Sequence, residues 1–178
     1  FAAIKEEFAQ ISVTCTAPSK TFNIASMMIS NIFIPNRELK AKFRAQLDAA
    51  GISQLNVLGL VACEAAYAHG EEWYKAMHSY VADNIAFTKE YVETQLPGVS
   101  MVDHEGTYLV WLDFRETGLS VDELEDLIVH RAKLWLDSGK IFGDCGKGFQ
   151  RINVACPRAT LQEALDRIKT ALQESEAQ

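Results

Sequence analysis

From Arg37 to Ala50 the apolar residues Leu39, Phe43 and Leu47 recur at every fourth position, and Gly51 stands at the stop. That spacing puts one apolar stripe on a helix, with Asn36 placed to cap it and Pro35-Asn36 as the turn before it. A second helix is predicted over Gln54–Ala68, with Ser53 at its cap. It carries Leu55, Leu58, Ala62, Ala65 and Ala66 with almost no charge, which predicts burial nearly all round. His69-Gly70 ends it. A long helix then runs over Glu71–Gln95, with Trp73, Met77, Tyr80, Asn84, Phe87 and Tyr91 at helical steps and Pro97-Gly98 as its stop.

The period changes on both sides of this helical block. Residues 11–16 are β-branched and read as a strand that Pro18 closes. Residues 21–34 are apolar without a clean period. Val99–Asp103 and Thr107–Phe114 alternate as strands around the turn Glu105-Gly106, and Gln150–Cys156 is a further strand. Ser120 with Glu123 forms a capping box for a helix carrying Leu124, Leu127, Ile128, Ala132 and Trp135. Thr160 with Glu163 forms a second, opening a last helix through Leu172, and Gln173–Gln178 is expected to fray. The glycines at 139, 143, 146 and 148 read as a flexible connection. They match no phosphate-binding fingerprint and precede a strand rather than a helix. The order predicts an α/β to α+β chain, in which helices cover a small antiparallel sheet from residue 99 onward.

Composition narrows the function. The 178 residues carry 17 Lys and Arg against 24 Asp and Glu, a net charge of −7, which argues against a nucleic-acid partner. No apolar run reaches membrane-spanning length, and no secretory signal opens the chain. The chain begins at Phe1 already close to a strand, which suggests a fragment. Cys15, Cys63, Cys145 and Cys156 form no CxxC pair, and no His stands at zinc-ligand spacing from them. They read as small buried hydrophobes in a reducing compartment, which places the protein in the cytoplasm. No metal site is expected.

Two residues carry candidate chemistry. Lys20 follows a strand, has Thr16, Ser19 and Thr21 around it, and precedes apolar sequence. A lysine in apolar surroundings is a usable nucleophile or Schiff-base former, and the hydroxyls could hydrogen-bond a phosphate. The competing reading is a solvated surface lysine. Arg151 lies within a strand, where alternation groups it with Phe149, Asn153 and Ala155 and sends Ile152 and Val154 to the core. Such an arginine needs an anionic partner, either a ligand carboxylate or an acid of this chain. Asp113 and Asp137 show no partner in the sequence.

The segment Thr16-Ala17-Pro18-Ser19-Lys20-Thr21-Phe22-Asn23-Ile24-Ala25 resembles the cofactor-lysine segment of the fold type I pyridoxal-phosphate enzymes. It is most similar to the cystathionine β-lyase and C–S lyase branch that includes MalY, PatB and cystalysin. Glu105–Phe114 and Arg151–Arg158 resemble two further segments of that branch, in the same order. The resemblance implies the C-terminal part of an aspartate-aminotransferase-like fold, with residues 1–70 ending the large domain and 71–178 forming the small one. It implies pyridoxal 5'-phosphate held by Lys20, with Thr16 and Ser19 near its phosphate. Lys20 would move the proton at Cα, and Arg151 would bind the α-carboxylate of an amino-acid substrate. Ala17 and Met28 stand where many relatives of the wider fold carry a phosphate-binding Ser and Arg. A homodimeric β-lyase releasing thiol, pyruvate and ammonia is the activity implied, with the amino-terminal part absent here and this piece inactive alone. An aminotransferase would use the same two residues. A MalY-like protein that binds a transcription regulator is the third reading, and a free-standing structural domain the fourth.

Overall fold

The structure, a computed structural model, describes residues 1–176. It divides into two compact units, Phe1–Ala76 and Met77–Gln178.

The first unit opens with a short helix, α1 (Glu6–Gln10). β1 (Thr14–Thr16) pairs antiparallel with β2 (Asn31–Phe33), Thr14 opposite Phe33 and Thr16 opposite Asn31. β1 is shorter than the β-branched run, and β2 lies in the stretch that had no period. Three residues are too few for alternation to show. Asn36 caps α2 (Arg37–Ala49) as expected, its Oδ1 accepting the Glu38 and Leu39 amides at 2.9 and 3.0 Å. Gly51 takes a left-handed φ of +70° beyond its end.

α3 (Val57–His69) departs from expectation twice. Its cap is Asn56, which accepts the Leu58 amide at 3.1 Å, and not Ser53. Asn and Ser cap equally well, so position relative to the apolar run decided between them. The helix is also uncovered. Only Gly59 is buried, while Val57, Leu58, Val61 and Tyr67 face outward. The apolar pattern implies a cover, and the first unit supplies little of it.

α4 (Glu71–Gln95) matches its predicted bounds and crosses the division between the units. In the second unit it buries Val81, Asn84, Thr88 and Val92. The sheet contains β3 (Ser100–Met101), β4 (Leu109–Asp113), β5 (Asp137–Ser138) and β6 (Phe149–Asn153), in the order β3-β4-β6-β5, all antiparallel. Val110, Leu112, Ile152 and Val154 point to one side and meet Leu161, Leu165 and Ile168 of the last helix. Trp111, Asp113, Phe149 and Arg151 alternate onto the other side.

The Ser120–Glu123 box caps α5 (Val121–Asp126) in both directions. The helix then widens into a π-helical turn, Leu127–Arg131, and stops. It does not reach Trp135, because Lys133 adopts φ +55°; Trp135 is 90% exposed. The glycine-rich segment is not a loose connection. It forms β5 and two tight turns, Gly139–Phe142 and Asp144–Gly146. Gly139 and Gly146 are buried backbone against backbone: a Cβ on either would stand 1.9 or 2.1 Å from the other's carbonyl oxygen. α6 (Arg158–Glu176) starts just after Pro157, so Thr160 lies inside its first turn and is not its cap. It continues past Leu172, where fraying was expected; residues 177–178 lie outside the described residues. Cys15 and Cys145 are exposed, against the expectation of burial; among the described residues every cysteine is unbridged. No described helix is long and apolar enough to cross a membrane.

Candidate functional site

Lys20 stands on a turn between β1 and β2. The Pro18 carbonyl accepts the Phe22 amide and the Ser19 carbonyl accepts the Ile24 amide, both at 2.9 Å. These two bonds fix the backbone on both sides of the lysine. The Phe22 ring anchors the turn. It stacks on Trp73 at 6.1 Å and meets Tyr67 edge-on at 5.8 Å, near the junction of α3 and α4. Gly70 makes room for it, since a Cβ there would sit 2.6 Å from the Phe22 ring. Asn23 and Met28 both take left-handed backbone, φ +54° and +51°, strained for residues other than glycine.

Lys20 is exposed, and the apolar residues after it do not enclose it. Phe22 and Ile24 turn inward and leave the lysine outward. Among the described residues no carboxylate pairs with its amine, and the Thr16 and Ser19 hydroxyls make no hydrogen bond to the chain. The end of β1 and the turn after it therefore present a primary amine and two uncommitted hydroxyl groups. Met28 is exposed and supplies no charge.

Arg151 belongs to the second unit. β-sheet register places it directly between Trp111 of β4 and Asp137 of β5. Its Nε and Nη2 both donate to Asp137 Oδ2, at 3.2 and 2.7 Å. The guanidinium carbon lies 4.6 Å from the centre of the Phe142 ring and 5.8 Å from that of Trp111. Contacts of this kind contribute roughly 0.5–2 kcal/mol, more as water is excluded. The Arg151 side chain is 23% exposed, and its Nη1 has no partner among the described residues. Trp135, Asp137, Asn153 and Thr160 line a cleft of about 330 Å³ beside it.

Asp137 thus has a partner, contrary to its isolated look in the sequence, and so has Asp113. Arg115 grips Asp113 through Nε to Oδ1 at 2.9 Å and Nη2 to Oδ2 at 2.7 Å. Those bonds hold the Asp113 carboxyl below its ordinary range. The Arg115 guanidinium lies over Phe149 at 4.7 Å.

Beyond β6 the chain is held by a polar residue that the helical pattern placed on α4 without a role. Asn84 is fully buried. Its Nδ2 donates to the carbonyls of Val154 and Cys156 at 2.7 and 2.9 Å, and its Oδ1 accepts from Arg158 Nε at 2.7 Å. Arg158 also rests over Phe87 at 4.3 Å and donates its amide to the Tyr80 hydroxyl. A polar residue inside an apolar stripe was the available signal. Asp137, Trp111 and Phe142 around Arg151 had none, because strand pairing and the folded glycine segment bring them there.

The structure therefore places Thr16 at the end of β1 and Ser19 and Lys20 on the turn that follows, and it surrounds Arg151 with two aromatic rings and one acid in the other unit. No family model matches the chain. Cystathionine beta-lyase PatB of Bacillus subtilis is 44% identical over 97% of this chain and 44% of its own length. Protein MalY of Escherichia coli is 30% identical over 84% of this chain and 39% of its own length. The crystal structure of cystalysin from Treponema denticola, which contains pyridoxal 5'-phosphate, superposes with a TM-score of 0.92 at 38% identity, over 96% of this chain and 43% of that one. The chain spans less than half the length of each of these relatives.

Proposed function

We propose, from the premise that this chain is a homologue of cystathionine beta-lyase PatB, MalY and cystalysin and has the fold of the C-terminal portion of the pyridoxal-phosphate aminotransferase-fold proteins, that it carries the lysine and the carboxylate site of a C–S β-lyase. The observation that carries this reading is the 44% identity to a cystathionine beta-lyase across 97% of the chain, which takes in both Lys20 and Arg151. The donor set on the lysine turn fits pyridoxal phosphate. An unpaired amine suits its aldehyde, and two free hydroxyl groups suit its phosphate. When bound, that cofactor supplies an electron sink for negative charge at the substrate's Cα.

The chain's own residues do the rest. Lys20 would hold the cofactor through its aldehyde, and its free amine would take the proton from the substrate's Cα. Thr16 and Ser19 would donate to the cofactor's phosphate. Arg151 holds the α-carboxylate and so fixes the direction of the Cα–H bond. The Cβ–S bond of a thioether amino acid would then break, the thiolate taking up a proton to leave as thiol, and water would hydrolyse the remaining three-carbon enamine to pyruvate and ammonia. The uncovered apolar residues of the first unit support the reading that the chain acts within a longer polypeptide, and on its own it is expected to be inactive.

The test is borohydride reduction of the complete polypeptide as purified, followed by peptide mapping. Ten lysines compete in this region, and the pyridoxyl label is expected on Lys20 alone. A label scattered over surface lysines, or turnover retained by Lys20→Ala, defeats the reading. Pyruvate release from a thioether without any keto-acid acceptor separates lyase from transaminase, which would use the same two residues.

A further inference from the structure

Arginine can grip a carboxylate along two edges, the side formed by Nε and Nη2 or the end formed by Nη1 and Nη2. In this chain Asp137 occupies the first. Both Nε and Nη2 converge on its Oδ2, while Nη1 has no partner among the described residues. The register makes the arrangement specific, since Asp137 lies directly opposite Arg151 on the neighbouring strand. The turn that follows β5 is locked by the contact of Gly139 with Gly146, so Asp137 is held by a close-packed segment. The same segment supplies Phe142 to the guanidinium.

We propose that Asp137 is a positioning residue for the carboxylate site: it blocks the side edge of Arg151, so that a substrate carboxylate can engage only the end edge. The inference rests on reading Arg151 as the carboxylate holder. A carboxylate bound along the side edge would sit displaced and rotated relative to one bound at the end, and its Cα–H bond would point elsewhere. Asp137 removes that unproductive mode, and its negative charge repels a carboxylate approaching from that side. Because the Asp137 end of the pair is half-exposed, its contribution to overall stability is small.

Unproductive binding has its own kinetic signature. It lowers kcat and KM by the same factor and leaves kcat/KM unchanged. In the complete polypeptide, Asp137→Ala is expected to lower both several-fold, with kcat/KM no lower than before. Asp137→Asn keeps an oxygen acceptor on the side edge and is expected to restore kcat. A rise in KM at unchanged kcat, or a fall in kcat/KM, overturns the proposal.

A second readout needs neither cofactor nor turnover. In the 178-residue chain labelled with ¹⁵N-arginine, the Arg151 Nε–H is expected to exchange slowly with water. It should exchange much faster in Asp137→Ala and stay slow in Asp137→Asn. Added L-alanine, used as the carboxylate probe, is expected to shift only the Nη signals of the native chain and also Nε in Asp137→Ala. A rapidly exchanging Nε–H in the native chain, or an alanine-induced Nε shift there, overturns the edge assignment. If reduction fails to label Lys20 while these spectra behave as expected, the functional reading fails and the edge assignment stands.

Discussion

The two units of this chain draw on the same apolar residue types, yet only one of them builds a core. Among the described residues, Phe1–Ala76 buries few apolar side chains, chiefly Ala9, Pro18 and Ile29. The second unit encloses a continuous cluster from Val81 to Leu172. The difference lies in how the residues are arranged. α6 has an apolar stripe and a polar face, so one side packs on the sheet and the other meets water. α3 has nearly no polar face, and its apolar residues find little cover within their own unit. The unit with Arg151 is self-sufficient, whereas the unit with Lys20 exposes what a larger body would bury.

Core truncation tests this contrast most directly. Leu165, fully buried, is expected to cost about 2–5 kcal/mol as Leu165→Ala. Leu58, 68% exposed, is expected to change stability by less than about 0.5 kcal/mol as Leu58→Ala. Urea unfolding of the chain measures both; equal costs would erase the distinction between the units.

A glycine in each unit sharpens it. Gly139→Ala places a methyl on the Gly146 carbonyl and is expected to cost about 1–3 kcal/mol in global unfolding. Gly51→Ala meets open space but a left-handed backbone, a local cost of about 1–2 kcal/mol. Hydrogen exchange should register that second change in the last turn of α2 and nowhere in the sheet.

The smallest effect concerns pH. Asp113 ionises more easily when folded than its ordinary value of 3.8, because Arg115 holds it. Its contribution is therefore complete above that value and is lost as the pH falls through the lower, folded one. Asp113→Asn should flatten the acid limb of Tm against pH and lower Tm only slightly near neutral pH, since the Arg115 end of the pair is solvent-exposed. An unchanged acid limb would remove Asp113 from the second unit's stability.

Legibility followed the range of the interactions. α2, α4 and the Ser120 capping box depend on residues a few positions apart and are found where the pattern put them. The alternation of Phe149, Arg151 and Asn153 against Ile152 and Val154 is equally local and equally visible. The lysine turn was marked by Pro18 and its flanking hydroxyls. The start of α3, the end of α5 and the form of the glycine segment were not visible. Each hangs on contacts or backbone states that residue type alone leaves open: Asn56 against Ser53, a left-handed Lys133, and the meeting of Gly139 with Gly146.

By itself, the sequence determined the periods, the caps at Asn36 and Ser120, the two chemically capable residues and the family they resemble, because each is written in neighbouring positions. Only the tertiary structure decided that Asp137 and Phe142 would meet Arg151, that Asn84 would hold the end of β6, and that α3 would stay uncovered. Those outcomes depend on which distant segments come together, and side-chain period carries no information about a partner many residues away.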